Sequence, residues 1–142
     1  MSDSSNTLNS ELSILYVEDD PKSRDVLRMY LTLQFKLKHL TIFEDSANFI
    51  QRVEALSPQP DVILLDIHVA PLTGFQMLQM LREHSRLKDI PVVALTASVM
   101  NEEVHALREA GFNGCLGKPL DMKIFPECVL RIMNGERLWR IL

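Results

Sequence analysis

Four short apolar runs in this chain each stop on a polar residue. Ile14-Leu15-Tyr16-Val17 runs into Glu18-Asp19-Asp20, and Val62-Ile63-Leu64-Leu65 runs into Asp66. Val92-Val93-Ala94-Leu95 ends on Thr96, and Cys115-Leu116-Gly117 ends on Lys118. Runs this short, without polar alternation, read as strands buried on both faces. The stretches between them carry apolar residues at helical spacing. Strands alternating with helices predict a doubly wound α/β sandwich around a parallel sheet. Ligands in such sheets bind outside the carboxyl ends of the strands. All four polar stops fall at carboxyl ends.

Five strands are expected, over residues 12–17, 39–43, 61–66, 90–95 and 113–117. The last is weak in propensity because of its glycines and is placed by context. Asp20-Pro21 opens a first helix, with Asp20 as cap and Val26, Met29, Tyr30 and Leu33 recurring at helical spacing. Asp45 or Ser46 is expected to cap a second helix and Asn101 a fourth. Gly74 leads into the third helix and Pro126 opens the fifth. Residues 1–11 read as a disordered polar tail, residues 12–135 as one domain, and residues 136–142 as a short amphipathic tail carrying Trp139.

Composition narrows the function classes. At 142 residues the chain suits one domain that buries about 70% of its unfolded surface. A net charge of −4 argues against non-specific nucleic-acid binding. The chain lacks an apolar span of membrane length and a signal-peptide pattern, so a cytoplasmic protein is expected, without membrane or nucleic-acid partners. Cys115 and Cys128 lack metal-ligand spacing and are expected as buried thiols.

The polar stops make a coherent chemical set. Glu18, Asp19 and Asp66 offer hard oxygen donors, which suit Mg²⁺. A divalent cation offsets the repulsion between an attacking carboxylate and a phosphoryl group. Lys118 supplies a point charge and Thr96 a hydroxyl donor for phosphoryl oxygens.

The set Glu18-Asp19, Asp66, Thr96-Ala97 and Lys118-Pro119 resembles the receiver domain of two-component response regulators. Order and spacing agree together: Asp66 and Thr96 are 30 positions apart, Thr96 and Lys118 are 22. The resemblance covers residues 12–135. It implies a flavodoxin-like fold of five helices and five parallel strands in the order 2-1-3-4-5. It implies Asp66 as phosphoacceptor, Asp19 as direct Mg²⁺ ligand, Glu18 as a ligand through water, and the His68 backbone carbonyl as a main-chain ligand. Thr96 resembles the switch hydroxyl and Lys118 the counter-charge.

Three positions depart from the family pattern. Pro71 stands five residues after Asp66 instead of four, where Ala70 lies, so a locally altered loop is expected. Cys115 replaces an aromatic residue that couples phosphorylation to the surface. His68 and Ser98 occupy the positions that tune phosphoaspartate hydrolysis.

The leading expectation is a single-domain response regulator of a phosphorelay. A histidine kinase or phosphotransfer protein would donate to Asp66, and an unidentified downstream protein would read the result. Homodimerisation stays open. Such a protein modifies itself and is not an enzyme with a separate substrate. The alternative is a degenerate receiver that binds a partner constitutively. An FMN carrier of similar fold is disfavoured because Glu18-Asp19-Asp20 would repel the cofactor phosphate.

Overall fold

The computed structural model describes residues 8–97 and 100–140. Strand β1 (Ser13–Val17) is buried at all five positions and pairs in parallel with β2 (His39–Phe43) on one side and β3 (Val62–Asp66) on the other. β4 (Val92–Thr96) pairs with β3, and β5 (Gly114–Gly117) with β4, again in parallel. Successive residues of these strands face opposite sides. Leu15, Val17, Ile63 and Leu65 join one apolar cluster, while Ile14, Tyr16, Val62 and Leu64 join the other.

Helices cover both faces. On the first lie α2 (Phe49–Glu54), α3 (Gly74–Arg82) and α4 (Asn101–Ala110), burying Phe49, Val53, Met77, Leu78, Leu81 and Leu107. On the second lie α1 (Pro21–Met29) and α5 (Phe125–Met133), through Leu27, Phe125, Val129 and Ile132.

Among the described residues the sheet has six strands in the order 2-1-3-4-5-6, which corrects the expected five. Residues 138–140, expected as part of a tail, form β6 (Leu138–Arg140), parallel to β5 with Cys115 opposite Trp139. This strand explains a glycine that propensity could not. A Cβ on Gly114 would lie 2.6 Å from Ile132 Cδ1 and 2.8 Å from the Leu138 carbonyl oxygen. Only a bare Cα lets β6 approach β5 beside α5.

Other expectations shift in detail. Leu8, placed in the N-terminal tail, is buried in the second cluster, and Lys38 N–H donates to the Ser10 carbonyl. In α1 the buried residue is Leu27, followed by Leu31 in a π-helical continuation (Tyr30–Gln34). Val26, Met29 and Leu33 are exposed. Apolar residues cover a broad arc of this helix, so periodicity alone allowed either edge of that arc to face the core. Neither Asp45 nor Ser46 caps α2, which starts after Asn48 in a left-handed conformation. Asn101 is the first residue of α4 rather than its cap. Thr73 and Gln76 form a capping box on α3.

Candidate functional site

The strand order reverses between β1 and β3, and the carboxyl ends of these two strands carry Glu18 and Asp66. Glu18 continues the β1 ladder by donating its backbone N–H to the Phe43 carbonyl at 3.0 Å. Its side chain is fully buried. Arg24 fixes the Glu18 carbonyl with a 3.0 Å hydrogen bond. Asp20 accepts from the Ser23 backbone N–H and hydroxyl at the start of α1, the capping role expected of it. Asp19, between them, is exposed.

Asp66 closes β3 opposite Leu95, so Thr96 lies one position further along the adjacent strand. Thr96 is buried, and its carbonyl accepts from the Lys118 backbone N–H at 2.9 Å. That bond ties the end of β5 to the end of β4 and brings Lys118 to the same crevice. One carboxylate oxygen from each of Glu18, Asp19 and Asp66 lies within 4.8 Å of the other two. A triad of hard donors this close fits a small divalent cation such as Mg²⁺.

Lys118 Nζ sits 2.7 Å from Glu18 Oε1 and 3.8 Å from Asp66 Oδ2, so the ammonium is held chiefly by Glu18. Tyr16, which the sequence presents only as a member of an apolar run, also donates its phenol to Glu18 Oε1, at 2.9 Å. Burial foremost, and then the facing Glu18, push that phenol well above its usual range, so it remains a donor. Glu18 Oε2 accepts from the Asp20 backbone N–H at 3.2 Å.

The two buried carboxyls titrate apart. Burial, and next the hydrogen bond to Glu18, push Asp66 up to about 6. Burial also works against ionisation of Glu18, but hydrogen bonds with Asp66, Lys118 and Tyr16 outweigh it and hold that group low. Below about pH 6 the proton of the pair therefore resides on Asp66, and Glu18 carries the charge that pairs with Lys118.

The turn after Asp66 is braced from two sides. The His68 backbone N–H donates to Asp66 Oδ1 at 3.1 Å, and the imidazole is exposed. The Gly74 N–H donates to the Ile67 carbonyl at 3.1 Å. The loop bearing the displaced Pro71 is clamped by Ser46, which donates to the Leu72 carbonyl at 2.7 Å and accepts from the Leu72 N–H at 2.6 Å. These bonds tie the loop between Asp66 and the start of α3 to Ser46. Ser98 lies outside the described residues.

Cys115 is buried and burial pushes its thiol up to about 11, so it packs as an apolar group. Cys128 is buried as well, and the two are not disulfide-bonded.

The family model for the response regulator receiver domain matches residues 14–129, nearly the whole sheet and all of its polar strand ends. The chain belongs to the response regulator receiver family. An uncharacterized 14.6 kDa protein of Leptolyngbya boryana is 30% identical to this receiver over 112 residues, covering 79% of this chain and 82% of that one. The polar-differentiation response regulator DivK of Brucella anthropi is 31% identical over 71 residues, half of this chain and 58% of its own. The sensor histidine kinase RcsC of Escherichia coli is 26% identical over 120 residues, and the chain spans only 12% of that protein. Among solved structures, the receiver domain of sensor histidine kinase PA1611 from Pseudomonas aeruginosa superposes with a TM-score of 0.74 at 25% identity. The match covers 88% of this chain and 99% of that domain, which was solved with magnesium in its active-site cleft. A putative response regulator from Chloroflexus aurantiacus superposes with a TM-score of 0.76 at 23% identity, over 87% and 98% of the two chains.

Proposed function

We propose that this receiver is a phosphorylation switch of a phosphorelay in the cytoplasm. A histidine kinase or phosphotransfer protein donates a phosphoryl group, Asp66 accepts it, and a protein partner reads the change. The observation that carries this reading is the convergence of Glu18, Asp19, Asp66 and Lys118 at one crevice of the sheet edge. No helix among the described residues is long and apolar enough to cross a membrane.

Asp19, Asp66 and the His68 carbonyl would hold Mg²⁺, with Glu18 acting through water. When bound, the ion offsets repulsion between the Asp66 carboxylate and the incoming phosphoryl oxygens. Asp66 must shed its proton before its oxygen can attack phosphorus. Lys118 would leave Glu18 for a phosphoryl oxygen, and Thr96 would donate its hydroxyl to another. The protein catalyses only its own modification.

His68 sets the lifetime of the product in this reading, because its exposed ring stands two residues from the acyl phosphate. Replacing His68 by Ala should leave phosphorylation intact and change the decay rate several-fold. Equal decay of the two proteins would remove His68 from the account.

A constitutive interaction module is the second reading, favoured by Cys115 and by β6 lying on β5 where a mobile ring would be needed. Beryllofluoride with Mg²⁺, read by amide NMR, separates the two. A switch shifts resonances beyond the crevice, whereas a constitutive binder shows none and keeps its partner as Asp66→Asn.

A further inference from the structure

Tyr16 carries a hydroxyl that packing does not require. It is among the largest fully buried side chains, set in the second apolar cluster with Leu27 and Leu64. Phenylalanine would fill the same volume without desolvating an O–H, a cost met only where a partner waits. The partner is Glu18 Oε1. Residues two apart in a strand share a face, so the phenol reaches directly along β1 to the carboxylate.

Glu18 Oε1 has two side-chain partners of unlike character. Lys118 approaches on a long flexible stem and keeps 18% of its side chain exposed, while Tyr16 is rigid and enclosed. If Lys118 moves to a phosphoryl oxygen, Oε1 loses its ammonium. The phenol then remains on Oε1, with the longer Asp20 N–H bond on Oε2, to stop the carboxylate from rotating out of the acidic cluster. Arg24 already fixes the main chain at Glu18, and of the two bonds that then restrain side-chain rotation the phenol's, at 2.9 Å, is shorter than the 3.2 Å bond from the Asp20 N–H.

We propose that Tyr16 is a positioning residue for the metal site, its phenol holding Glu18 so that the carboxylate keeps its aim on the Asp19–Asp66 cluster. The inference rests on the phosphoacceptor reading above, but it concerns metal affinity and needs no phosphoryl group to be tested. Partners that orient a group around a metal in this way commonly change affinity by 10- to 100-fold, roughly, when removed.

Calorimetric Mg²⁺ titration of wild type and Tyr16→Phe is the test, with thermal melting to check the fold. Binding about tenfold weaker in Tyr16→Phe, with a melt near wild type, supports the proposal. Affinity unchanged within about twofold overturns it and leaves the phenol as a satisfied core group. Absence of Mg²⁺ binding by wild type would overturn this proposal and the phosphoacceptor reading together. Should Tyr16→Phe not fold, wild type labelled at tyrosine ¹³Cζ decides. There are two tyrosines, and Tyr30 bonds the Met122 carbonyl away from the acidic cluster. Movement of the Tyr16 signal in step with Mg²⁺ saturation, with Tyr30 still, supports the proposal. A Tyr16 signal that stays in place while Mg²⁺ binds overturns it.

Discussion

Asp66 is a poor residue for stability and a good one for chemistry. Its folded pKa of about 6 lies above the 3.8 of an ordinary aspartate, so the folded chain binds a proton between those values that the unfolded chain does not. That contribution is complete below about pH 4 and is lost as pH rises through 6. At neutral pH the metal-free fold therefore bears an ionised carboxylate that burial disfavours. Asp66→Asn should stabilise the metal-free protein at pH 7 by roughly 2 kcal/mol while abolishing phosphorylation. Urea unfolding of both proteins at about pH 4.5 and about pH 7.5 checks it: the gain should be large at the higher pH and small at the lower. The polar strand ends were legible in the sequence because each interrupts or closes an apolar run. Tyr16 was not, because a tyrosine inside such a run counts as one more apolar residue. Its clue was the spacing of two from Glu18 on a single strand.

Strands were legible where an apolar run was unbroken. β1, β3 and β4 are continuous apolar runs, and a buried parallel strand has no other sequence signature. α1 misled because Val26, Leu27, Met29, Tyr30, Leu31 and Leu33 spread over a broad arc of the helix, and the π-helical continuation further rotates the register of the residues after Met29. β6 is three residues long, too short for any period to register. Its evidence is indirect and lies in Gly114. Gly114→Ala should displace β6 and cost about 1–3 kcal/mol, since one of the two clashes is with backbone. Trp139 is the only tryptophan, packs on the first apolar cluster and lies 5.2 Å from the Arg108 guanidinium. Its fluorescence should shift to longer wavelength in that variant. An unchanged emission spectrum would show that β6 tolerates the methyl group.

The whole molecule couples the acidic crevice to ion binding through charge. Mg²⁺ and the proton on Asp66 compete for the same oxygens, so apparent Mg²⁺ affinity should fall as pH drops through about 6. By mass action, Mg²⁺ should raise the melting temperature more at about pH 7.5 than at about pH 5. Asp66→Asn should lose most of that pH dependence, which differential scanning calorimetry with and without the ion can read. The family membership and the fold leave one claim to be decided by chemistry, that Asp66 takes a phosphoryl group. Intact-mass analysis after incubation with acetyl phosphate tests it most directly. The expected result is a single phosphoryl adduct on wild type with Mg²⁺, and none with chelator or in Asp66→Asn. An unmodified wild type that retains its fold and its Mg²⁺ site, or an adduct that persists in Asp66→Asn, would contradict it.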